Sequence, residues 1–159
     1  MVEATWANCH FDFAFDGALV DLLVPGTNSD EWEAFWSALQ AGPFPLQAFR
    51  DGEPIPIPDT AAWALAEREV ASVMMSIIIG GLAVHCHFFG GDLELDIDPR
   101  EVVTESAFES VLAIMRLIAG ATRLTVLALS EGGSPPFAFL QVLPTGLAEY
   151  LPAGSIHPV

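Results

Sequence analysis

Hydrophobic and polar positions alternate most cleanly in the middle of the chain. Asp92, Glu94, Asp96 and Asp98 take turns with Leu93, Leu95 and Ile97. A period of two is that of a β-strand, with the carboxylates on one side and the apolar residues on the other. The same alternation predicts strands over 70–79 and 82–89, with Gly80-Gly81 and Gly90-Gly91 as the turns of a three-stranded meander. If both turns are two-residue hairpins, counting sets Ser76 opposite His85 and Met74 opposite His87. It likewise sets His87 opposite Glu94, His85 opposite Asp96 and Phe89 opposite Asp92. The other face collects Val73, Met75, Ile77, Ile79, Leu82, Val84, Cys86, Phe88, Leu93, Leu95 and Ile97. A slip of one residue would bury the carboxylates, so pattern and register support each other.

Upstream, Phe11-Asp12-Phe13-Ala14-Phe15 alternates and Asp16-Gly17 comes next, which predicts a hairpin onto a strand through Val20, Leu22 and Val24. Asn28 and Glu31 form a capping box, and Trp32, Phe35, Trp36 and Leu39 give a helical stripe that stops at Gly42-Pro43. Pro43, Pro45, Pro54, Pro56 and Pro58 then confine 43–58 to an edge strand or loop turning at Asp51-Gly52. Asp59 or Thr60 caps a short helix through Ala61, Trp63 and Leu65.

After Pro99, Ser106 and Glu109 predict a second main helix over about 107–119, ended by Gly120. Its apolar stripe, Phe108, Val111, Leu112, Met115 and Ile118, is widened by Ile114 and Leu117, so it is buried on more than one side. Strands over 124–129 and 137–143 come after it, with an irregular tail from about 145. The expectation is one α+β domain over 1–159: a largely antiparallel sheet with two main helices packed on one face.

Composition narrows what such a face can do. The 159 residues include 21 acids, five arginines and no lysine, for a net charge of −16. That balance excludes the basic footprint needed for nucleic acid or an anionic membrane, and suits a basic protein, a cationic ligand or a metal. The charge is local: seven acids and one arginine lie between Asp92 and Glu109. Residues 70–91 are uncharged and long enough to span a bilayer, but the glycine pair and the strand-spaced Ser76, His85 and His87 favour a buried hairpin. Cys9 and Cys86 are too few for a disulfide framework, and no signal peptide precedes them, which predicts a cytoplasmic protein.

His85 and His87 share a strand face with Glu94 and Asp96 across the ladder, a His/carboxylate set that could ligate a metal or simply pair. Cys86 points away from both histidines, and no nucleophile elbow or phosphate loop occurs, so the chain is expected to be non-catalytic and without a cofactor.

The run Phe88-Phe89-Gly90-Gly91-Asp92-Leu93-Glu94-Leu95-Asp96-Ile97-Asp98-Pro99-Arg100-Glu101, with the buried helix and strand beyond it, resembles small acidic immunity proteins of bacterial polymorphic toxin systems. The likeness is one of overall form and covers 70–131. It implies a cytoplasmic protein that binds a cognate toxin domain, one with a basic surface, and blocks it. Asp92, Glu94, Asp96, Asp98, Glu101 and Glu105 would then be the contact set, with His85 and His87 at its edge. Two other readings stay open: a metal-binding or hydrolytic protein using His85, His87, Glu94 and Asp96, and a homodimeric structural subunit.

Overall fold

A computed structural model describes residues 1–152. Its first strand, β1 (Val2–Glu3), leads to α1 (Trp6–Cys9), capped reciprocally by Thr5 and Asn8 and prolonged by a 3₁₀ turn through His10–Phe13. The alternation of phenylalanines over 11–15 is therefore not a strand, and these residues form no hairpin with 20–24. A helical period wins instead: Cys9 and Phe13 are buried, and Trp6 and Phe13 set their rings 5.9 and 6.1 Å from Phe108.

Then come β2 (Val20–Val24) and α2 (Ser29–Ala41), the latter opened by the expected Asn28–Glu31 box. Trp32, Phe35, Trp36 and Leu39 are all buried, and Trp32 and Trp36 pack on Phe88 at 5.5 and 5.4 Å. The proline segment forms the hairpin β3 (Leu46–Arg50) and β4 (Glu53–Ile55), turning at Asp51 and Gly52, both at positive φ. With Arg50 opposite Glu53 closing that turn, Pro54 occupies a position facing away from β3, and Pro56 and Pro58 repeat the spacing. Thr60 caps α3 (Ala61–Glu67), whose first amides are also held by the Glu33 carboxylate of α2.

The meander appears as β5 (Val73–Ile79), β6 (Leu82–His87) and β7 (Leu93–Ile97). Every ladder pair expected between 74 and 96 is present, and all eleven residues assigned to the inner face are buried. The 70–91 run is thus a β-hairpin, and among the described residues no helix is long and apolar enough to cross a membrane. The Phe89–Asp92 pair is not formed: the β6–β7 ladder closes at His87–Glu94. Beyond it Phe88 turns into the core, while the Gly91 carbonyl accepts the Trp32 indole N–H.

Helix α4 (Glu105–Thr122) starts two residues earlier than expected, because Thr104 rather than Ser106 is the cap, accepting from the Ala107 amide at 3.1 Å. It also runs through Gly120 and ends at Arg123 in the left-handed region, φ 60°. Its widened apolar face is explained by its packing against α2 as well as against the sheet.

β8 (Val126–Ser130) and β9 (Leu140–Val142) are shorter than 124–129 and 137–143 suggest, and 3₁₀ geometry occupies Pro135–Phe137. The tail expected to be irregular contains β10 (Ala148–Tyr150), which pairs with both β9 and β1. Residues 153–159 of that tail lie outside the described residues.

The ten strands form one antiparallel sheet in the order β1-β10-β9-β8-β2-β7-β6-β5-β3-β4. Helices α2 and α4 cover one face, giving the α+β fold expected. Strand β2 is the splice: it pairs with β8 on one side and β7 on the other, joining two meanders.

Candidate functional site

The face turned away from the helices is where the chemistry gathers. The two-residue Gly80-Gly81 turn sets the β5–β6 register, and the longer connection through Gly90-Gly91 brings β7 back in the register of a two-residue hairpin, so Ser76, His85 and Asp96 lie in one row across the meander, and Met74, His87 and Glu94 in the next. Strand β2 extends both rows, with Asp21 directly opposite Asp96 and Leu23 opposite Glu94. Non-local pairing has therefore brought a third carboxylate to the face.

The side chains divide into two hydrogen-bonded groups. Ser76, buried, shares a hydrogen bond of 3.0 Å with His85 Nδ1. His87 reaches diagonally to bond Asp96 through Nε2, and its ring stacks flat on Phe89 at 5.1 Å. The Asp96 carboxylate raises the His87 pKa despite partial burial, because it stabilises the charged imidazolium. Phe89 itself is 66% exposed, an aromatic ring standing beside the acids.

Asp21 is the residue that sequence reasoning missed. It is only 8% exposed, and its Oδ2 accepts the Gly132 amide at 3.1 Å. Burial pushes its carboxyl up to about 6; the Gly132 N–H opposes this, while Glu94, Asp96 and Glu131 reinforce it. Its ladder partner Leu129 belongs with Leu127, Ala138 and Leu151, and with Leu23 packed against them, to a small apolar cluster separate from the main core. The alternation of Val20, Leu22 and Val24 was a usable signal that Asp21 faces outward. What the chain does not display is that β7 is its neighbour.

The other acids named from the sequence do not join this cluster. Asp92 accepts the Gly26 amide at 2.8 Å and so ties the β2–α2 turn to the β6–β7 turn. Asp98, about 20 Å from Asp92 along the strand by residue rise, caps the 3₁₀ turn after β7. It also binds the Arg100 guanidinium, which holds its carboxyl below the usual range. Glu101 accepts the Ala83 amide at 2.9 Å, and Glu105 sits exposed in the first turn of α4. Of the expected contact set, then, Glu94 and Asp96 with His85 and His87 are brought together, and the rest are spread along the strand and its sequel.

The face is not arranged to ligate a metal. Among the described residues no three His, Cys, Asp or Glu side chains converge as ligands, so His85, His87, Glu94 and Asp96 do not form the metal centre that their spacing allowed. The reason is geometric: the two imidazoles are bonded to different partners, one to Ser76 and one to Asp96. Cys86 lies on the helix side of the sheet, and burial pushes its thiol well above its ordinary pKa, which removes it as a nucleophile.

What remains distinctive is a set of carboxylates whose basic partner is a histidine, His87 on Asp96, and no arginine. Among the described residues the arginine–carboxylate pairs are Arg50–Glu67, Arg68–Glu69 and Arg100–Asp98. None involves Asp21, Glu94 or Asp96, and like charges directly opposite in a ladder oppose pairing. Compared with protein families, curated proteins and solved structures, the chain matches none.

Proposed function

We propose that this chain is a non-catalytic, immunity-type protein that binds and neutralises a toxin domain with a basic surface, using the sheet face of β2, β7 and β6. The observation that carries the reading is the row Asp21–Asp96, with Glu94 beside it, on central strands and without an arginine partner. A fold gains nothing from opposing two carboxylates in its own ladder; His87 bonds Asp96, and a further cation supplied by a partner relieves the rest of the repulsion. Exposed Phe89, stacked on His87, offers the aromatic contact that protein interfaces favour beside such charges. A net charge of −16 steers a basic partner toward this surface at low ionic strength. Asp92, Asp98 and Glu101, engaged within the chain, contribute field rather than direct contacts.

The test is co-expression with the product of the neighbouring reading frame. Growth should be restored by the wild type and lost with Glu94→Lys/Asp96→Lys, whose complex should also lose salt dependence. Unchanged protection and an unchanged salt slope in that variant would remove the face from the interaction. A neighbour belonging to a metabolic operon, with no binding to the chain, would remove the function.

A further inference from the structure

The surroundings of Asp21 carry more than a docking surface. Its ladder partners are Asp96 on β7 and Leu129 on β8. Glu94 approaches from β7 and Glu131 from the loop after β8, while His87 and His85 face it from β6 across Asp96. Among the described residues the loop amide of Gly132 is its hydrogen-bond donor. Around a carboxyl this buried, one apolar flank and three acids disfavour ionisation, while the Gly132 N–H and a charged His87 favour it.

We propose that Asp21 and Asp96 form a pH-sensitive switch in the interaction face: in weakly acidic solution Asp21 takes up a proton, and the face then loosens its hold on a cationic partner. This rests on the function proposed above and names how that site is regulated. The step balances simply, one proton from solvent joining one carboxylate with no other bond changed. Several observations agree on direction. Proton uptake removes the like-charge opposition across β2 and β7, which stabilises the free protein. It also subtracts one negative charge from the face that a guanidinium or ammonium must meet. His87, whose pKa is raised by Asp96, changes the charge of the face in the same sense when it takes up its proton. Lowered pH therefore favours the free state from both groups, and raised pH favours the complex. The Gly132 bond makes the 131–134 loop the reporter, since its amide senses the charge on Asp21.

The experiment uses the full chain in two parts. Carboxyl-carbon NMR on the wild type should find the Asp21 resonance titrating near pH 6, with the Gly132 amide shift moving at the same midpoint. Asp96→Asn should move that midpoint downward. An Asp21 midpoint near the ordinary carboxylate value of about 4 overturns the switch outright, with no variant required. In the second part, an octa-arginine peptide is titrated between pH 5 and 8. The wild type should lose more affinity than Asp21→Asn as the pH falls, and should release about half a proton per peptide at pH 6. Identical pH profiles in the two proteins overturn the coupling. If Glu94→Lys/Asp96→Lys fails to weaken the peptide at pH 8, the proposed face is wrong and the coupling falls with it, while the NMR midpoint still stands as a property of the fold.

Discussion

Replacing Asp21 by Asn should make the protein more stable, and only above the acid range. The Asn carbonyl can keep the Gly132 hydrogen bond, and its amide can donate to Asp96 across the ladder, so shape and partners survive while the buried charge goes. The size comes from the carboxyl being pushed up to about 6 from an ordinary 3.8. A difference of about two units is worth about 3 kcal/mol, an upper limit for the cost of ionising Asp21 in the folded state. The sign is set by linkage. A folded-state pKa raised above the unfolded value means that the folded chain binds the proton more tightly. Its penalty is therefore absent below about pH 3.5, grows through pH 6 and is complete by pH 8. Urea unfolding monitored by tryptophan fluorescence should show the Asp21→Asn midpoint displaced upward by up to about 1.5 M at pH 8, taking a slope of about 2 kcal/mol per molar. The displacement should shrink to about a third near pH 4.5 and vanish below about pH 3.5. A variant that is destabilised at pH 8, or whose gain is the same at both pH values, would refute the reasoning.

Three further outcomes are expected from the same geometry. His87→Gln should lose more stability at pH 6 than at pH 9. The raised His87 pKa contributes stability that is present below the unfolded value and disappears as pH rises through the folded one, which paired denaturation curves will show. Thr104→Ala should cost about 1 kcal/mol by removing the α4 cap, whereas Ser106→Ala, inside the helix, should cost far less by the same measurement. Cys9 and Cys86 should resist a thiol reagent at pH 8 in the native protein and react in urea, since both are buried and Cys9 is pushed up to about 12; rapid native labelling would contradict their burial.

The parts of the fold visible in the sequence are those set by short-range geometry. Counting residues from Gly80-Gly81 and Gly90-Gly91 places His85, His87, Glu94 and Asp96 on one face, and the register bears this out, although only the first pair is a two-residue turn. The Asn28–Glu31 box and the Trp32–Leu39 stripe are equally local. The failures share a different cause. Phe11 to Phe15 alternate like a strand, yet the Thr5–Asn8 cap had already started a helical turn that uses Cys9 and Phe13. Thr104 lacks the reciprocal partner at 107 that would have marked it, while Ser106 and Glu109 supply a pattern the backbone does not use. Strand β10 and the pairing of β2 with β7 depend on partners distant along the chain. Asp21 was hidden for that reason: its own strand is legible, but the acid facing it belongs to another part of the molecule.

The prolines at 54, 56 and 58 have a consequence for how this protein can meet another chain. A long antiparallel sheet ends in a row of free backbone donors and acceptors, which is a template for adding strands from neighbouring molecules. On β4 the position that would present an outward amide is Pro54, and proline has none to offer. At the opposite end, β1 is two residues long, too short to template much. Both ends of the sheet are thereby poor templates for edge-to-edge addition. On the proposed function, a partner would therefore meet side chains across a face, where Asp21, Glu94, Asp96 and Phe89 stand.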